Sequence, residues 1–395
     1  MRLGVPDGGC SAPSVLSSLS LLGFRSYTFL EATFAPGPHL IVGPNAAGKT
    51  SLLEAIVLLA WGRSHRTTTD AELVRWGAEL ARIEGRAGLP AGEPSTLEVA
   101  FVRAGAGARK RIRVNGVGRR ASGLLGALRA VIFAPEEMLL VAGSPSLRRS
   151  ALDLLAGQRS PAYLADLATY GRALQQRNSL LRAIREETAG REELRYWDVA
   201  LIESGGAIVA ERLRLLDALA DPLAGAHAEI APEEASHGRL GLRYETNAPV
   251  IGAETPREAI ARRLVETADK EVWNGSTLVG PHRDDIAFEW DGRDLATFAS
   301  RGQQRTAILA YKLAELDLLA ELDGRPPLLL LDDVFSELDP ERRAHLVRRI
   351  AALPQAFVTT TTLDDLDPAL RAVATAWEVR AAAGGATLTL LGVAA

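Results

Sequence analysis

Apolar runs separated by loop-forming clusters divide the chain into stretches of different periodicity. Residues 39–42 form a short apolar run and residues 51–60 a longer one, which together predict a strand, a loop and a helix in succession. From about residue 146 the pattern becomes helical and rich in arginine. Tyr163, Leu167, Tyr170, Leu174, Leu181 and Ile184 follow alternating steps of four and three, with Arg177 in the skipped position. Leu194, Trp197, Leu201 and Ile208 carry a matching stripe after a polar break at residues 188–191, so the spacing predicts two antiparallel helices joined by a short loop. An ordinary helical bundle and a stubby coiled-coil arm share that pattern. Asp221-Pro222 and residues 231–238 read as loops. Strand character returns at residues 286–290, at the four leucines of 328–331 and at 356–358.

The leucine strand ends in Asp332 and Asp333. Two adjacent carboxylates there can place one acid on a magnesium ion and the next beside an attacking water, which is Walker B chemistry. A core strand with a solvated acidic end has the same composition, but the rest of the chain bears on the choice. The run at residues 39–42 leads straight into Gly43-Pro44-Asn45-Ala46-Ala47-Gly48-Lys49-Thr50, followed by Ser51 and the apolar helix. This fits G-x-x-x-x-G-K-[ST] in the strand, loop, helix context that the motif requires. Its glycines let backbone N–H groups wrap phosphate oxygens, and the helix N-terminus adds partial positive charge. Lys49 reaches the outer phosphates and Thr50 offers a hydroxyl to magnesium. The chain has four lysines against 41 arginines, so a lysine here is a departure from its own bias, at a place where a compact ammonium is needed.

At 395 residues there is room for two domains, or for one large domain with an insertion. Composition is ordinary for a globular protein, with 47% hydrophobic and 24% charged residues, and no run approaches the length of a membrane span. A single cysteine, Cys10, excludes an internal disulfide framework and a cysteine-based metal cluster, which fits a reducing cytoplasm. Residues 1–14 lack the basic start and apolar core of a secretory signal and read as a disordered extension.

A net charge of -4 confines any nucleic-acid contact to local patches. The clearest lies between residues 101 and 120, where arginines flank Asn115-Gly116, a strong hairpin signal. Alternation along the strand puts Arg109, Arg111 and Arg113 on one face, opposite Lys110, Ile112 and Val114. That face suits phosphate contacts, and equally suits a strand edge kept charged against aggregation. A second compact motif, Gly280-Pro281-His282-Arg283-Asp284-Asp285, contains a His-Arg-Asp triplet. It lacks the asparagine, glycine-rich loop and Asp-Phe-Gly of a kinase, so that reading is rejected. His282 has three available roles: contacting a phosphate, coordinating a water or bracing a turn.

In this order the motifs resemble the RecF family of bacterial DNA-repair ATPases, whose head is similar to those of the structural-maintenance-of-chromosomes proteins and of ABC ATPases. The match begins at Leu22-Gly23-Phe24-Arg25-Ser26-Tyr27 and runs through the phosphate loop, Ser64-His65-Arg66-Thr67, Phe133-Ala134-Pro135-Glu136-Glu137 and Arg148-Arg149. It closes with residues 280–285, 300–305 and 328–339. The resemblance implies an α/β fold: an ABC-type, SMC-like P-loop ATPase head with mixed sheets, plus an inserted helical domain holding the short antiparallel helix pair. The expected division is an extension at 1–14, head segments at 15–145 and 273–395, and a helical insertion at 146–272.

The resemblance also implies roles. Ser300, Gly302 and Gln303 would open a helix that caps the ATP of a second subunit. Asp332 would hold Mg2+ with Thr50, Asp333 would polarise the attacking water, and the loop from Ser336 to Asp339 would cross the dimer interface. Asn45 and Arg25 would lie near the nucleotide, with Arg66 near nucleotide or DNA. Two departures stand out. An aspartate, Asp333, replaces the glutamate usual in the wider ABC class, which is compatible with slow hydrolysis. Thr359-Thr360-Thr361-Thr362 replaces the usual switch histidine, and a threonine can hydrogen-bond a phosphate but carries no charge. The expected function is a weak DNA-dependent ATPase of recombinational repair. It would dimerise on ATP, bind double-stranded DNA near single-strand/double-strand junctions, and act with RecR, helped by RecO, in loading the recombinase RecA. The alternative is the ATPase subunit of an ABC transporter. A chromosome-structuring protein is disfavoured, because the helix pair is far too short.

Overall fold

The computed structural model describes residues 15–88, 94–322, 324–335 and 338–393. The extension expected at 1–14 and Ser336, expected at an interface, lie outside them. The chain forms two compact units, one from residues 1–137 and 312–395, the other from residues 138–311.

The first unit holds two six-stranded sheets. Its N-terminal segment contributes β1 (Leu16–Phe24), β2 (Tyr27–Thr33), β3 (Gly37–Val42), helix α1 (Lys49–Trp61), β4 (Leu80–Ala87), β5 (Ser95–Ala104), β6 (Gly107–Val114), β7 (Val117–Arg119) and β8 (Ala130–Phe133). Strands β2-β1-β4-β5-β6-β7 make an antiparallel sheet. The predicted hairpin is present: Asn115 (φ 51°) and Gly116 (φ 75°) form the two-residue turn between β6 and β7, both in the left-handed region that such a turn demands. Helix α1 touches both sheets and buries eleven of its thirteen residues, as a helix apolar all round must.

The second unit begins with α2 (Leu139–Ala142) and α3 (Pro145–Arg159), followed by the predicted pair α4 (Pro161–Arg185) and α5 (Leu194–Ile230). It continues with α6 (Pro232–Ala235), β9 (Leu240–Glu245), α7 (Pro256–Asn274), β10 (Asp285–Trp290), β11 (Arg293–Asp294), α8 (Leu295–Phe298) and the start of α9 (Arg301–Glu321). It is wider than the expected 146–272, because β9, β10 and β11 form their own small sheet and α3 and α8 pack on β10. Asp221-Pro222 is not a loop. Pro222 sits inside α5, where Leu215, Leu216, Leu219, Leu223, Ala226 and Ile230 are buried on either side of it. That continuous apolar face outweighs the hydrogen bond that proline removes.

Arg177, which breaks the apolar stripe of α4, is 3% exposed and carries its own partners. It meets Asp198 at 2.6 Å, Glu271 at 2.7 Å and the Thr277 hydroxyl at 2.9 Å. Residues 280–285 are knitted into the same polar interior. Gly280 has φ +122°, and a Cβ there would lie 2.4 Å from the Tyr170 hydroxyl. That hydroxyl lies 2.6 Å from His282 Nδ1, while His282 Nε2 lies 3.2 Å from the Thr277 carbonyl. A neutral imidazole satisfies both, accepting from tyrosine and donating to the carbonyl. Arg148 forks onto Asp285 at 2.8 and 2.7 Å, and Arg212 donates to the Pro281 carbonyl and to Asp153, both at 2.8 Å. Of the three roles open to His282, bracing the turn is the one its contacts supply.

The chain returns to the first unit through the rest of α9, then β12 (Leu328–Asp332), α10 (Pro340–Ala351), β13 (Gln355–Thr360), α11 (Pro368–Val373), β14 (Thr375–Arg380) and β15 (Thr387–Val393). The second sheet runs β15-β14-β3-β13-β12-β8, parallel except for β15. Its central strands β12 and β13 are buried at every residue, as the unbroken leucine run requires of a parallel strand.

Burial pushes the His282 pKa down to about 4, against about 6.5 for an unperturbed histidine. The unfolded chain therefore binds the extra proton between those values. The stability that His282 contributes is complete above about pH 6.5 and is lost as pH falls toward 4. Thermal melts between pH 7 and 4.5 should show a steeper acid loss for the natural chain than for His282→Gln, by up to about 1.4 kcal/mol per pH unit. Parallel curves would mean that this imidazole does not titrate on unfolding.

Candidate functional site

Parallel pairing brings the carboxyl ends of β3, β12 and β13 to one edge of the second sheet. Asp332 is in register with Thr359, and Thr360 with Val42, the last residue before the glycine-rich loop. A crevice beyond the carboxyl ends of parallel strands is where open α/β sheets bind ligands. In the loop itself, Ala46 (φ 61°) and Gly48 (φ 119°) take left-handed conformations. Gly43 has no room for a side chain, since a Cβ would lie 2.3 Å from the Val379 carbonyl oxygen. Lys49 opens α1, is 7% exposed, and donates to the Gly43 and Pro44 carbonyls at 2.6 and 3.0 Å. Burial lowers its pKa, opposed by the charges of Asp333 and Asp332, so the ammonium and both strand-end acids share one electrostatic environment.

Thr359 organises the acids. Its hydroxyl donates to Asp332 Oδ1 at 2.7 Å and accepts from the Asp333 backbone N–H at 2.9 Å. Asp333 itself has φ +53°, a left-handed conformation rare for a non-glycine residue and found at sites where a side chain must be aimed. Thr359, one of the threonines expected to replace the switch histidine, therefore holds the strand-end aspartate Asp332. Asp332 is 5% exposed and contributes one fixed carboxylate.

Sequence reading missed Glu54. It is fully buried in α1, little more than a turn beyond Lys49. Arg25 forks onto it at 2.8 and 2.7 Å, the Ser64 hydroxyl donates at 2.5 Å, and Arg66 stands 3.7 Å from it and 3.6 Å from Glu136. Burial alone would raise the Glu54 pKa, but the hydrogen bonds from Arg25 and Ser64 and the charges of both arginines hold it below the usual carboxylate range. A lone charge within an otherwise apolar helix was the available signal. The network gathers Arg25 and Arg66, two predicted site residues from distant segments, beside the phosphate-loop helix.

The signature residues Ser300, Gly302 and Gln303 belong to the other unit. Gln303 N–H donates to Ser300 Oγ at 3.3 Å, and Ser300 N–H donates to the Gln303 side-chain oxygen at 2.9 Å. Ser-x-x-Gln is thus a capping box at the start of α9. Among the described residues, a Cβ on Gly302 would find no atom closer than Ser300 Oγ at 3.8 Å, so none of them demands a glycine there. Asp339 caps α10 by accepting from Arg342 N–H at 3.0 Å. Arg109, Arg111 and Arg113 are exposed on β6, with Arg113 3.5 Å from Glu98.

The chain is similar to known proteins over most of its length. The RecF/RecN/SMC N terminal domain model matches residues 15–380. The chain is 42% identical over 358 residues to the DNA replication and repair protein RecF of Geobacillus kaustophilus, covering 89% of this chain and 94% of the relative. It is 39% identical over 362 residues to that of Bacillus subtilis, again covering 89% and 94%. Among solved structures, the recombination mediator protein RecF with ATP, of the RecFOR pathway, superimposes with TM-score 0.88 at 32% identity, covering 98% of this chain and all of that one. An Smc head domain from Pyrococcus furiosus shares the fold, with TM-score 0.54 at 17% identity over 96% of this chain and 97% of that one.

Replacing Glu54 by alanine leaves Arg25 and Arg66 without their common carboxylate and should destabilise the fold by about 3 kcal/mol. Denaturant unfolding measures this, and Glu54→Leu combined with Arg25→Leu should recover part of the loss. A change below about 0.5 kcal/mol would assign the network no structural weight.

Proposed function

The chain belongs to the RecF family of DNA replication and repair proteins, and from that premise we propose that it is an ATP-gated DNA clamp of recombinational repair. The observation that carries the reading is the pairing of a complete phosphate loop with a Walker B acid held by Thr359, in a chain whose capped signature helix has an open glycine position. Residues 43–51 wrap the triphosphate, with Lys49 moving from loop carbonyls to phosphate oxygens. Mg2+ takes one or two protein ligands and completes its octahedron with phosphate and water. Asp332 and the Thr50 hydroxyl fit that small donor set. Asp333, re-aimed by its left-handed backbone, orients the attacking water, and hydrolysis is slow. Arg25 and Arg66 sit near the nucleotide, linked to α1 through Glu54.

Ser300, Gly302 and Gln303 act on the ATP of a second copy, and the loop from Ser336 to Asp339 crosses between copies. ATP then joins two heads on duplex DNA, near single-strand/double-strand junctions, and hydrolysis releases them. RecR, with RecO, is the partner that the family role implies. Among the described residues no helix is long and apolar enough to cross a membrane, and identity to RecF proteins over most of the chain leaves the transporter-ATPase alternative without support.

Sedimentation of the full chain with and without ATP and DNA should show a dimer only with ATP. Ser300→Arg should bind ATP with unchanged affinity but stay monomeric, and an ATP-bound dimer in that variant would sink trans capping. Replacing Arg109, Arg111 and Arg113 together with glutamine should lower the slope of log affinity for duplex against log salt by up to about 2.7. An unchanged slope would make β6 a solvated edge.

A further inference from the structure

Trp76 is 95% exposed, more than any other large hydrophobic side chain among the described residues. Its turn is held on several sides. Arg75 N–H donates to the Gly23 carbonyl at 2.8 Å, and Ala78 N–H to the Arg75 carbonyl at 3.0 Å. The Arg103 guanidinium donates to the Ala78 and Val74 carbonyls at 2.9 and 3.4 Å. An indole left in water on a braced turn loses the burial that usually justifies tryptophan, so a ligand is the natural cover for it.

The turn connects to the phosphate loop through one residue. Arg75 Nη1 donates to the Ser26 carbonyl at 2.7 Å. Ser26 in turn lies against the loop, because a Cβ on Gly48 would sit 2.7 Å from Ser26 Oγ. That hydroxyl oxygen is buried and has no hydrogen-bond partner among the described residues. Next to it, the Tyr27 hydroxyl donates to the Gly48 carbonyl at 3.1 Å. Contacts therefore run from the phosphate-binding backbone, through Ser26 and Arg75, to the turn that carries an uncovered indole. Anion donors and a stacking plane on one connected stretch match the phosphates and the base of a nucleoside triphosphate.

We propose that Trp76 is the base-stacking residue of the nucleotide site, covering the adenine of ATP held by residues 43–50. The proposal rests on the ATP reading above and adds what recognises the base. Stacking on an aromatic face tolerates any purine, so adenine and guanine nucleotides should differ little through this contact.

Calorimetric titration of the full chain with Mg-ATP and with inorganic tripolyphosphate separates the base from the phosphates. Trp76→Ala should weaken ATP roughly 5- to 100-fold and leave tripolyphosphate unchanged, with Trp76→Phe recovering most of the loss. Equal weakening of both ligands would make the tryptophan a structural support of the turn, and unchanged ATP affinity with lost DNA binding would make it a DNA contact. Either result overturns the proposal. Lys49→Ala should lose both ligands. If the natural chain binds neither, the ATP reading itself fails, a result distinct from failure of Trp76 alone.

Discussion

The β12 strand is four leucines and an aspartate with no exposed side chain, and its backbone is satisfied only when β13, the next strand, and β8, from a distant part of the sequence, lie on either side in parallel. Each buried leucine contributes about 1.5–3 kcal/mol, so the strand has one stable position. Parallel register then fixes the chemistry. Asp332 falls opposite Thr359, and β13 carries β3 on its other side, so the loop that follows Val42 opens at the same edge. A slip of one residue would exchange the two buried faces of β12 and separate Asp332 from Thr359. Hydrophobic pairing of the strands thereby sets the distance between the phosphate loop and the acid that serves it.

What was legible in the sequence was whatever local pattern dictates. The strand, loop and helix around Lys49, the Asn115-Gly116 hairpin and the α4–α5 pair all follow from turn chemistry or periodicity within a short window. What was not legible depends on partners far apart in sequence. Glu54 reads as a charge in an apolar helix until Arg25 and Arg66 arrive from 29 positions before and 12 after. Thr359 reads as one of four threonines until β12 pairs with β13. Pro222 reads as a break because proline is costly within a helix. The apolar face that overrides it packs only in the folded unit.

Buried arginine explains why residues 280–285 resisted a chemical reading. Arg177 and Arg212 are each 3% exposed in their side chains, and carboxylates and carbonyls surround both. A buried pair contributes little net stability relative to apolar replacement, but removing one partner costs several kcal/mol. Such a network therefore specifies one arrangement more than it stabilises it. His282, kept neutral by burial, and Gly280, pressed against Tyr170, are parts of that specification. The motif is dense in reactive residue types because it is dense in internal partners.

The signature segment shows the opposite situation. Ser300 and Gln303 satisfy each other across the first turn of α9, an ordinary solution to an exposed helix start. The capping box uses the N–H of Gln303 and leaves those of Arg301 and Gly302 at the helix N-terminus without any bond given to them by the cap, on an exposed surface. Gly302 costs about 1 kcal/mol relative to alanine in a helix, and no neighbour among the described residues needs the space it leaves. Internal packing therefore gives no reason for the glycine. N–H donors at an exposed helix start suit a compact anion, and a glycine between them leaves it room. Under the trans capping proposed above, the phosphates of a nucleotide held by a second copy would meet these donors.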